Sequence, residues 1–431
     1  MICDNISVNE KGTLTFAGRD TVELAAKYGT PLYLMDEDLI RARVREYRDT
    51  MREVFPKGSL PEFASKAFSC RRIYEIMAEE GIDVDVVSSG EIFTAVKSGF
   101  PMERVFFHGN NKTDTDIRFA IENRVGFFVV DSFDELSALD GIAGEFGVCQ
   151  NILLRVTPGI DPHTHKKIST GSVESKFGIA IETGQALKAA AEALTLKNIK
   201  LLGFHCHIGS QIFESEPFCT GAAVMLDFIK EVKGRLGFEA EMLNLGGGFG
   251  VRYVENDPEI CYGDKIREVA DMINGYCAKL GISVPKIMME PGRSLVADAG
   301  MTLYTVGGVK EIPDYTNYVS IDGGMTDNPR YTLYESQYTV FNASHAGDKA
   351  DYTATVAGRC CESGDLIAEG VKIAKPCRGD ILAVATTGAY NYSMASNYNR
   401  VPRPPVVMLS GGEDYVAVRR ETYDDLCLLD E

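Results

Sequence analysis

The sequence predicts an α/β protein, a (β/α)8 TIM barrel joined to a C-terminal all-β domain that also takes in the N-terminal strands. Three observations lead to this prediction. Eight apolar runs alternate with helical stretches, polar side chains follow nearly every run, and short strands replace this alternation after about Leu295. Because 431 residues exceed one ordinary domain, we expect the barrel in residues 36–295 and the β domain in residues 1–35 and 296–431.

The strand candidates of the barrel are short runs rich in Val, Ile, Leu and Phe, without clean alternation of polar and apolar residues. They are Leu60–Ser65, Ile82–Val87, Arg104–Phe107, Gly126–Val130, Ile152–Val156, Lys200–Cys206, Met242–Leu245 and Lys286–Met289. Such runs are typical of strands that are buried on both faces of a parallel sheet.

Amphipathic or helix-rich segments follow most of these strands. They include Arg71–Glu80, Glu91–Ser98, Thr113–Asn123, Phe133–Glu145, Gly184–Leu194, Ala222–Leu236 and Ile266–Leu280. Eight such units in roughly 240 residues match a (β/α)8 barrel, although a doubly wound open sheet has a similar pattern.

The placement of polar and special residues favours the barrel over the open sheet. They stand at or just beyond the carboxyl end of nearly every strand, at Lys66, Ser88, His108, Asp131, Arg155, His207, Gly246–Gly248 and Glu290. A barrel collects its functional groups at this one rim, whereas an open sheet collects them near a switch point. We therefore expect the candidate site at the carboxyl rim of a barrel.

Beyond Leu295 the sequence changes to short β-rich segments separated by turn residues, which predict a sandwich or a barrel. These segments are Thr302–Val306, Tyr318–Ile321, Tyr338–Phe341, Tyr352–Val356 and Ile381–Val384. Leu14–Phe16 and Leu32–Leu34 also have the pattern of strands, and we assign them to the same domain.

Composition argues against several classes of protein. The net charge of −18 disfavours a nucleic-acid partner, which requires a basic face, and no apolar run approaches the roughly 20 residues that a membrane helix needs. The N-terminus lacks the pattern of a secretory signal, and the 11 cysteines show neither a CxxC pair nor metal-binding spacing. We therefore expect a cytoplasmic protein with reduced thiols and no membrane partner.

Lys66 stands at the end of the first strand candidate, where we expect it to be buried or half-buried. A desolvated lysine has a depressed pKa, so its neutral amine is available to form a Schiff base with an aldehyde cofactor. The structural alternative is a lysine that reaches towards solvent or pairs with an acidic residue.

Two other strand ends carry candidate cofactor contacts. Gly246–Gly248 allow close backbone approach, so that N–H groups can converge on a phosphate, unless they form only a tight βα turn. His205 and His207 share one face of a strand, but no third ligand with suitable spacing is evident, so we expect no metal. His207 can instead lie flat against a planar ring, with Ser210 donating to an anion, or can be a hydrogen-bonded core histidine.

The last barrel strand and the β domain supply charged groups. Glu290 can bond a protonated ring nitrogen and keep that ring an electron sink, or can form a structural ion pair with Arg293. Arg330 and Tyr334 can together grip a carboxylate. Acidic neighbours are expected to raise the pKa of the Cys361 thiol, which suits a neutral proton donor, although a thiol that is incidental to a turn is the alternative.

Taken together, these segments closely resemble the diaminopimelate decarboxylases, pyridoxal-phosphate enzymes built like alanine racemase. The matching segments are FASKAFS around Lys66, SKFG at Ser175–Gly178, HCHIGSQ at His205–Gln211, NLGGGFG at Asn244–Gly250, EPGRSLVADAG from Glu290, DGGMTDNPR from Asp322, CESGD from Cys361 and GAYNYSMASNYN from Gly388. They follow the family's order and span almost the whole chain, so that together they are a specific signal.

The resemblance implies pyridoxal 5'-phosphate as the cofactor and a homodimer with shared active sites. It implies decarboxylation of meso-2,6-diaminopimelate to L-lysine, the last step of lysine biosynthesis. Among the catalytic residues, Lys66 would form the Schiff base and His207 would stack on the cofactor ring. Glu290 would bond the pyridine nitrogen, and Cys361 of the neighbouring subunit would donate a proton. The cofactor would further contact Ser210, Gly247, Gly248, Gly292, Arg293 and Tyr390. The substrate would contact Arg293, Arg330, Tyr334, Glu362 and Tyr390.

Three alternatives stay open. Decarboxylases of the same fold act on lysine, ornithine or arginine, but Arg330 with Tyr334 favours a substrate that carries a distal carboxylate. An amino-acid racemase would release no CO2. A non-catalytic cofactor-binding protein of the homeostasis type would be a lone barrel, without the β domain and Cys361.

Overall fold

The computed structural model describes residues 1–159 and 175–431. Its contacts divide the chain into two compact units. The barrel unit comprises Arg43–Gly250 and Ile260–Gly292, and the β unit comprises Met1–Ala42, Val251–Glu259 and Arg293–Glu431. The domain boundaries at residues 36 and 295 stay a prediction.

Eight parallel strands form a closed barrel in the first unit. They are Leu60–Ala64, Asp83–Val86, Val105–Phe107, Phe127–Val130, Gln150–Thr157, Ile199–His205, Met242–Asn244 and Lys286–Met289. The first strand pairs with the second, with Glu62 opposite Asp83, and also with the last, with Met288 opposite Leu60. The eight strands thus close into a ring, and a further short strand, Ile179–Ala180, pairs with the end of Gln150–Thr157. The closure confirms the predicted barrel and rules out the open sheet. None of the strand ends lies more than two residues from its predicted position.

Helices connect the strands in the order that the sequence predicts. They are Arg71–Glu80, Ser89–Ser98, Asp114–Glu122, Phe133–Phe146, Gln185–Ala193, Glu216–Leu236 and Tyr262–Leu280, and Glu37–Val54 precedes the first strand. Local signals explain several of their ends. Ser88 and Ser132 cap two helices by accepting backbone N–H groups, and Gly81 ends another helix in the left-handed conformation. Two helices begin earlier than predicted, at Glu216 rather than Ala222 and at Tyr262 rather than Ile266. Pro217 lies in the first turn of the former, where a missing N–H costs little.

The barrel interior holds an apolar layer and a polar layer. Phe106, Val129, Leu153, Leu202, Met242 and Met288 form a buried apolar cluster. Within it, Phe106 stacks on Phe127 with ring centres 4.2 Å apart and planes at 5°. Nearer the carboxyl ends, side chains such as Glu62, Asp85 and His205 are buried although they are polar. The strand-end residues singled out in the sequence therefore adjoin a polar layer of the barrel interior.

The β unit is built on a mixed sheet that includes N-terminal residues, as predicted. Its strands are Leu32–Asp36, Gly300–Glu311, Asn317–Ile321, Val340–Asn342, Tyr352–Ala357, Leu366–Ile373, Ile381–Ala385, Val406–Ser410 and Glu413–Val418. Leu32–Asp36 lies inside the sheet, antiparallel to the start of Gly300–Glu311 and parallel to Val406–Ser410. Its residues are all buried, which explains why this strand was evident from sequence.

The remaining elements of the β unit are short. The strands Ile6–Val8, Leu14–Phe16 and Arg19–Asp20 form a separate three-stranded sheet, and the helices are Thr21–Tyr28, Arg293–Val296, Arg330–Tyr334 and Tyr423–Cys427. Leu366–Ile373, Val406–Ser410 and Glu413–Val418 were missed in the sequence. Gly370, at φ +64°, interrupts the first, and Glu413–Val418 is an edge strand with no fully buried residue. Within the described ranges, none of the helices combines the length and the apolar character needed to cross a membrane.

Candidate active site

A cavity of about 400 Å³ lies at the carboxyl end of the barrel, within the size range of small-molecule sites. We call it the rim cavity. Its lining residues are Lys66, Asp85, Val87, His108, Gly109, Asn110, Asn111, Arg155, Phe177, His205, His207 and Glu290. The structure thus brings together three residues that the sequence singled out, Lys66, His207 and Glu290, from three different strand ends.

Lys66 reaches the rim cavity from a single turn of 3-10 helix, Ser65–Ala67, directly after the first strand. The neighbours Ser65 and Ala67 are buried, whereas Lys66 itself is exposed. The prediction that Lys66 is buried or half-buried was therefore wrong. The turn directs its side chain away from the packed end of the strand and into the open mouth of the barrel, where an amine is accessible to a carbonyl compound.

Glu290 forms the acidic floor of the rim cavity and is 6% exposed. Its Oε1 atom lies 2.9 Å from Nε2 of His205 and 3.3 Å from Nε2 of His108, yet it has no aligned hydrogen-bond donor among the described residues. Burial raises the pKa of Glu290 to about 7, although Lys66 and Arg155 favour its ionised form. This buried oxygen is therefore an acceptor that an N–H group of a bound molecule can satisfy.

The two histidines beside Glu290 are neutral. Burial lowers the pKa of His108 and of His205 well below the ordinary value, and nearby cationic groups lower both further. Their contacts with Glu290 are therefore polar contacts of uncharged imidazoles rather than ion pairs. The rings themselves meet edge to face, with centres 5.0 Å apart.

His108, His205 and Glu290 offer three donor atoms within 4.8 Å of one another, a grouping that the sequence did not reveal because His108 is distant along the chain. Lys66 and Arg155 place positive charge close to these same groups, which opposes a further cation. We assign no metal to the group, and the absence of a metal stays a prediction.

His207 is half-buried on the wall of the rim cavity. Burial, and then the charges of Lys66 and Arg155, lower the pKa of its imidazole well below the ordinary value. A neutral, flat ring at this position can cover one face of a planar ligand. This geometry favours the predicted stacking role over a histidine enclosed in the core.

Gly246–Gly248 follow the seventh strand and pack tightly against neighbouring backbone in the barrel unit. A Cβ atom on Gly247 would lie 2.0 Å from the carbonyl oxygen of Glu290, and one on Gly248 would lie 2.5 Å from that of Gly209. A backbone bridge between Ile212 and Phe249 holds the two loops together. The glycines therefore meet a packing requirement, and they leave Ser210 and Gly248 on adjoining loops, as a shared phosphate contact requires.

The β unit places two buried guanidinium groups beside Tyr390. The Cζ atom of Arg293 lies 4.8 Å from the centre of the Tyr390 ring and that of Arg330 lies 5.4 Å from it. Arg330, which is 8% exposed, also lies over Tyr334 at 5.3 Å. Its Nη2 atom donates only to Oγ of Ser336, at 3.4 Å, and its Nε atom has no partner among the described residues. A buried cation with unmet donors is suited to bind a carboxylate.

Cys361 and Glu362 are exposed in a loop of the β unit. The carboxylate of Asp365 organises this loop, because Oδ1 accepts the N–H of Met325 at 2.5 Å and Oδ2 accepts that of Cys360 at 2.7 Å. Burial, and then Asp365, raises the pKa of the Cys360 thiol to about 11. The sequence singled out Cys361 but missed Asp365 as the residue that fixes the loop.

Several further polar residues of the barrel interior escaped the sequence prediction. Glu62 and Asn244 are 0% exposed, and Asp85 is 2% exposed. Each stands on a barrel strand in place of an apolar residue, and an acidic residue inside a strand that is buried on both faces is the signal that would have found Glu62 and Asp85.

The described residues fit the cofactor that the resemblance implies. The rim cavity combines an accessible lysine, a flat neutral imidazole and a buried carboxylate oxygen that lacks a donor, and these match an aldehyde, an aromatic ring and a ring N–H. The tightly packed glycine loop beside Ser210 adds a candidate phosphate cradle. The geometry allows Lys66, His207, Glu290, Ser210 and Gly248 to hold pyridoxal phosphate.

Comparisons with known proteins agree with this chemistry. Residues 38–297 match the family model described as "Pyridoxal-dependent decarboxylase, pyridoxal binding domain". The chain is 48% identical to a diaminopimelate decarboxylase of Bacillus methanolicus over 96% of both chains, and 45% identical to that of Bacillus subtilis over 98% of this chain and 96% of the relative. Among solved structures, diaminopimelate decarboxylase of M. jannaschii in complex with L-lysine superposes with a TM-score of 0.92, at 37% identity, over 99% of this chain and 98% of that one.

Proposed function

This chain belongs to the diaminopimelate decarboxylases, a family of pyridoxal-dependent decarboxylases, and from that premise we propose how its residues carry out the reaction. The enzyme is a carboxy-lyase that converts meso-2,6-diaminopimelate to L-lysine and CO2, the last step of lysine biosynthesis. Bound pyridoxal phosphate supplies an electron sink for the electron pair that remains when CO2 leaves.

The residues of the barrel unit act on the cofactor. Lys66 would hold the cofactor covalently through its side-chain amine. Glu290 accepts a hydrogen bond from the ring nitrogen and so retains a proton there. His207 covers one face of the ring and excludes water from it. Ser210 and the glycine loop, with Gly247 and Gly248, bind the phosphate.

The residues of the β unit act on the substrate. Arg330, supported by Tyr334, binds the carboxylate that does not react, and Arg293 with Tyr390 assists in binding. Glu362 binds the distal ammonium group by charge. The thiol of Cys361 gives its proton to the α-carbon after the bond between that carbon and the carboxylate has broken. Gly292, before Arg293, would contact the cofactor; a Cβ atom there would lie only 3.0 Å from Cβ of Ala64.

Arg330 carries the choice of substrate. It is a buried guanidinium whose Nε donor has no partner among the described residues, and leaving such a charged donor unsatisfied is costly. Diaminopimelate has a distal carboxylate that can accept from this donor, whereas lysine, ornithine and arginine have no distal carboxylate. A decarboxylase for those three amino acids would leave this group unpaired, which disfavours the rival substrates.

The test is replacement of Arg330 by Ala. We expect the KM for diaminopimelate to rise about ten-fold to a hundred-fold, because one charge-assisted hydrogen-bonding group is worth ~1.5–3 kcal/mol. The control is Arg378→Ala, which removes an exposed arginine of the same unit that donates to a backbone carbonyl. This variant should leave the KM unchanged.

Two results would refute the assignment. One is unaltered diaminopimelate kinetics in Arg330→Ala, and the other is faster turnover of lysine or ornithine than of diaminopimelate by the native enzyme. Release of labelled CO2 separates the decarboxylase from a racemase.

The subunit arrangement and the compartment belong to the same proposal. We propose a homodimer in which Cys361 serves the active site of the partner subunit, in line with its exposed position in a single chain. All 11 cysteines are free thiols, as is usual in a reducing cytoplasm. The acidic net charge of −18 supports an amino acid rather than a nucleic acid as the ligand.

A further inference from the structure

Glu62 is an acidic residue inside the barrel for which the reaction described above has no role. It lies on the first strand, Leu60–Ala64, and is 0% exposed. On the last strand Met289 pairs with Pro61, so the next residue, Glu290, lies level with Glu62 on the adjoining strand. Two carboxyl groups therefore lie side by side, with Glu290 on the floor of the rim cavity and Glu62 next to it.

Asn244 fixes the orientation of Glu62. Its Oδ1 atom accepts the N–H of Gly246 at 2.8 Å, which leaves its Nδ2 group to donate to Oε1 of Glu62 at 3.1 Å. The other oxygen of Glu62, Oε2, has no hydrogen-bond partner among the described residues, and the nearest basic atom, Nε2 of His108, is 3.9 Å away. Glu62 is thus a buried carboxyl group with one satisfied oxygen and no cation.

The surroundings of the two carboxyl groups differ in charge. The groups that face Glu62 are Glu290 on the last strand, Asp83 and Asp85 on the second strand, neutral His108 on the third, and the Asn244 amide. Burial, and then Glu290, raises the pKa of Glu62 well above its ordinary value. Lys66 and Arg155, in contrast, favour the ionised form of Glu290. The same two cations favour the ionised form of Asp85, whereas none is close to Glu62 among the described residues. Because neighbouring buried carboxyl groups resist joint ionisation, a proton retained in this group is most stable on Glu62.

We propose that Glu62 holds this proton as a neutral carboxylic acid, and that it thereby leaves Glu290 free to carry the negative charge opposite the ring nitrogen of the cofactor. Glu62 is then a positioning residue, which acts through Glu290 and does not touch the substrate. The inference rests on the role given to Glu290 in the proposed function. It explains why an acid occupies the interior of the first strand, where an ionised one would repel Glu290.

Infrared spectroscopy of the cofactor-loaded enzyme tests the protonation directly. The protein is labelled with ¹³C at its glutamate carboxyl groups and measured at about pH 8, where ordinary carboxyl groups are ionised. We expect the carbonyl band of a protonated glutamic acid, and we expect its loss in Glu62→Gln. The control is Asp83→Asn, which should keep the band. Asp83 lies opposite Glu62, and its Oδ1 atom accepts a hydrogen bond from Nε of Arg104 at 2.9 Å. Glu62→Leu is the second variant if Glu62→Gln does not fold.

A pH titration of cofactor absorbance gives an independent readout. Glutamine mimics a neutral carboxylic acid, so the titration curve of Glu62→Gln should coincide with that of the native enzyme below about pH 8. If Glu62 were ionised in the native enzyme, the variant would remove a charge next to Glu290 and shift the curve by about one pH unit or more.

The outcomes separate this inference from the proposed function. A native enzyme without the protonated band, a band that persists in both Glu62 variants, or a shifted titration curve would overturn the role of Glu62 even if diaminopimelate turnover is normal. Absence of diaminopimelate turnover would overturn the function, whereas the infrared result does not depend on catalysis.

Discussion

At the scale of single residues, the rim cavity separates accessible from buried groups. Lys66 is exposed at the mouth of the barrel, whereas Glu290 is buried on the floor with an unsatisfied oxygen. A nucleophilic amine has to meet its carbonyl partner, so accessibility serves it better than the desolvation expected from sequence. A carboxylate that has to retain a proton on a ring nitrogen gains from burial, because its charge interacts more strongly in a low dielectric.

Replacement of Lys66 by Ala tests the covalent role of this amine. We expect loss of the cofactor's characteristic absorbance and of turnover, because the variant has no amine at the rim to bond the aldehyde. Borohydride reduction of the native enzyme, followed by peptide mapping, should place the cofactor label on Lys66. Lys97→Ala, a change at an exposed lysine of the helix Ser89–Ser98, should have no effect. A label on another lysine would contradict the assignment.

At the scale of elements, the loop Gly109–Asn111 forms one wall of the rim cavity, and the next residue, Lys112, anchors it. The buried Nζ of Lys112 donates to the carbonyl oxygens of Gly109 and Val129 and to Oε1 of Glu135, at 2.8–2.9 Å. Glu135 in turn accepts the N–H of Asp131 through its other oxygen, at 3.1 Å. One buried ion pair therefore holds the ends of the third and fourth strands in place.

We predict that Lys112→Met destabilises the enzyme by about 3–5 kcal/mol, since it leaves Glu135 as a buried charge without its partner. Denaturant unfolding monitored by circular dichroism measures the change in the free energy of unfolding. The matched control is Arg118→Ala, which breaks an exposed pair with Glu145 and should cost no more than about 1 kcal/mol. Equal effects of the two variants would show that the Lys112 pair has no special structural role.

At the scale of the whole molecule, we propose that two chains share each active site. Cys361 and Glu362 are exposed on the β unit, yet both have chemical roles in the proposed reaction. Residues with such roles are usually shielded from water once substrate is bound. A homodimer in which each subunit lends Cys361 to the other resolves this mismatch.

Subunit complementation tests the shared site. Lys66→Ala and Cys361→Ala should each be nearly inactive, and co-expression of the two should restore activity to about a quarter of the native value. Half of the dimers would then be hybrids, and each hybrid would contain one intact site of two. Mixtures that remain as inactive as either variant alone would argue that Lys66 and Cys361 act within one chain.

The sequence predicted the barrel closely because its signals are local. Runs such as Phe127–Val130 are continuous and apolar, Ser88 and Ser132 cap helices, and Gly81 ends one, so each element is encoded within a few residues. The edge strand Glu413–Val418 was missed, because half-exposed edge strands lack the apolar character on which such predictions depend.

The sequence alone determined the family, the barrel with its β domain, and the identity of the residues at the strand ends, because motifs and periodicity are properties of the chain itself. Only the tertiary structure decided that Lys66 is exposed, that His108 and His205 adjoin Glu290, and that Glu62 faces Glu290. The physical reason is that burial and electrostatic coupling depend on distances between residues far apart in the chain. Those distances arise only when the last strand pairs with the first and closes the barrel.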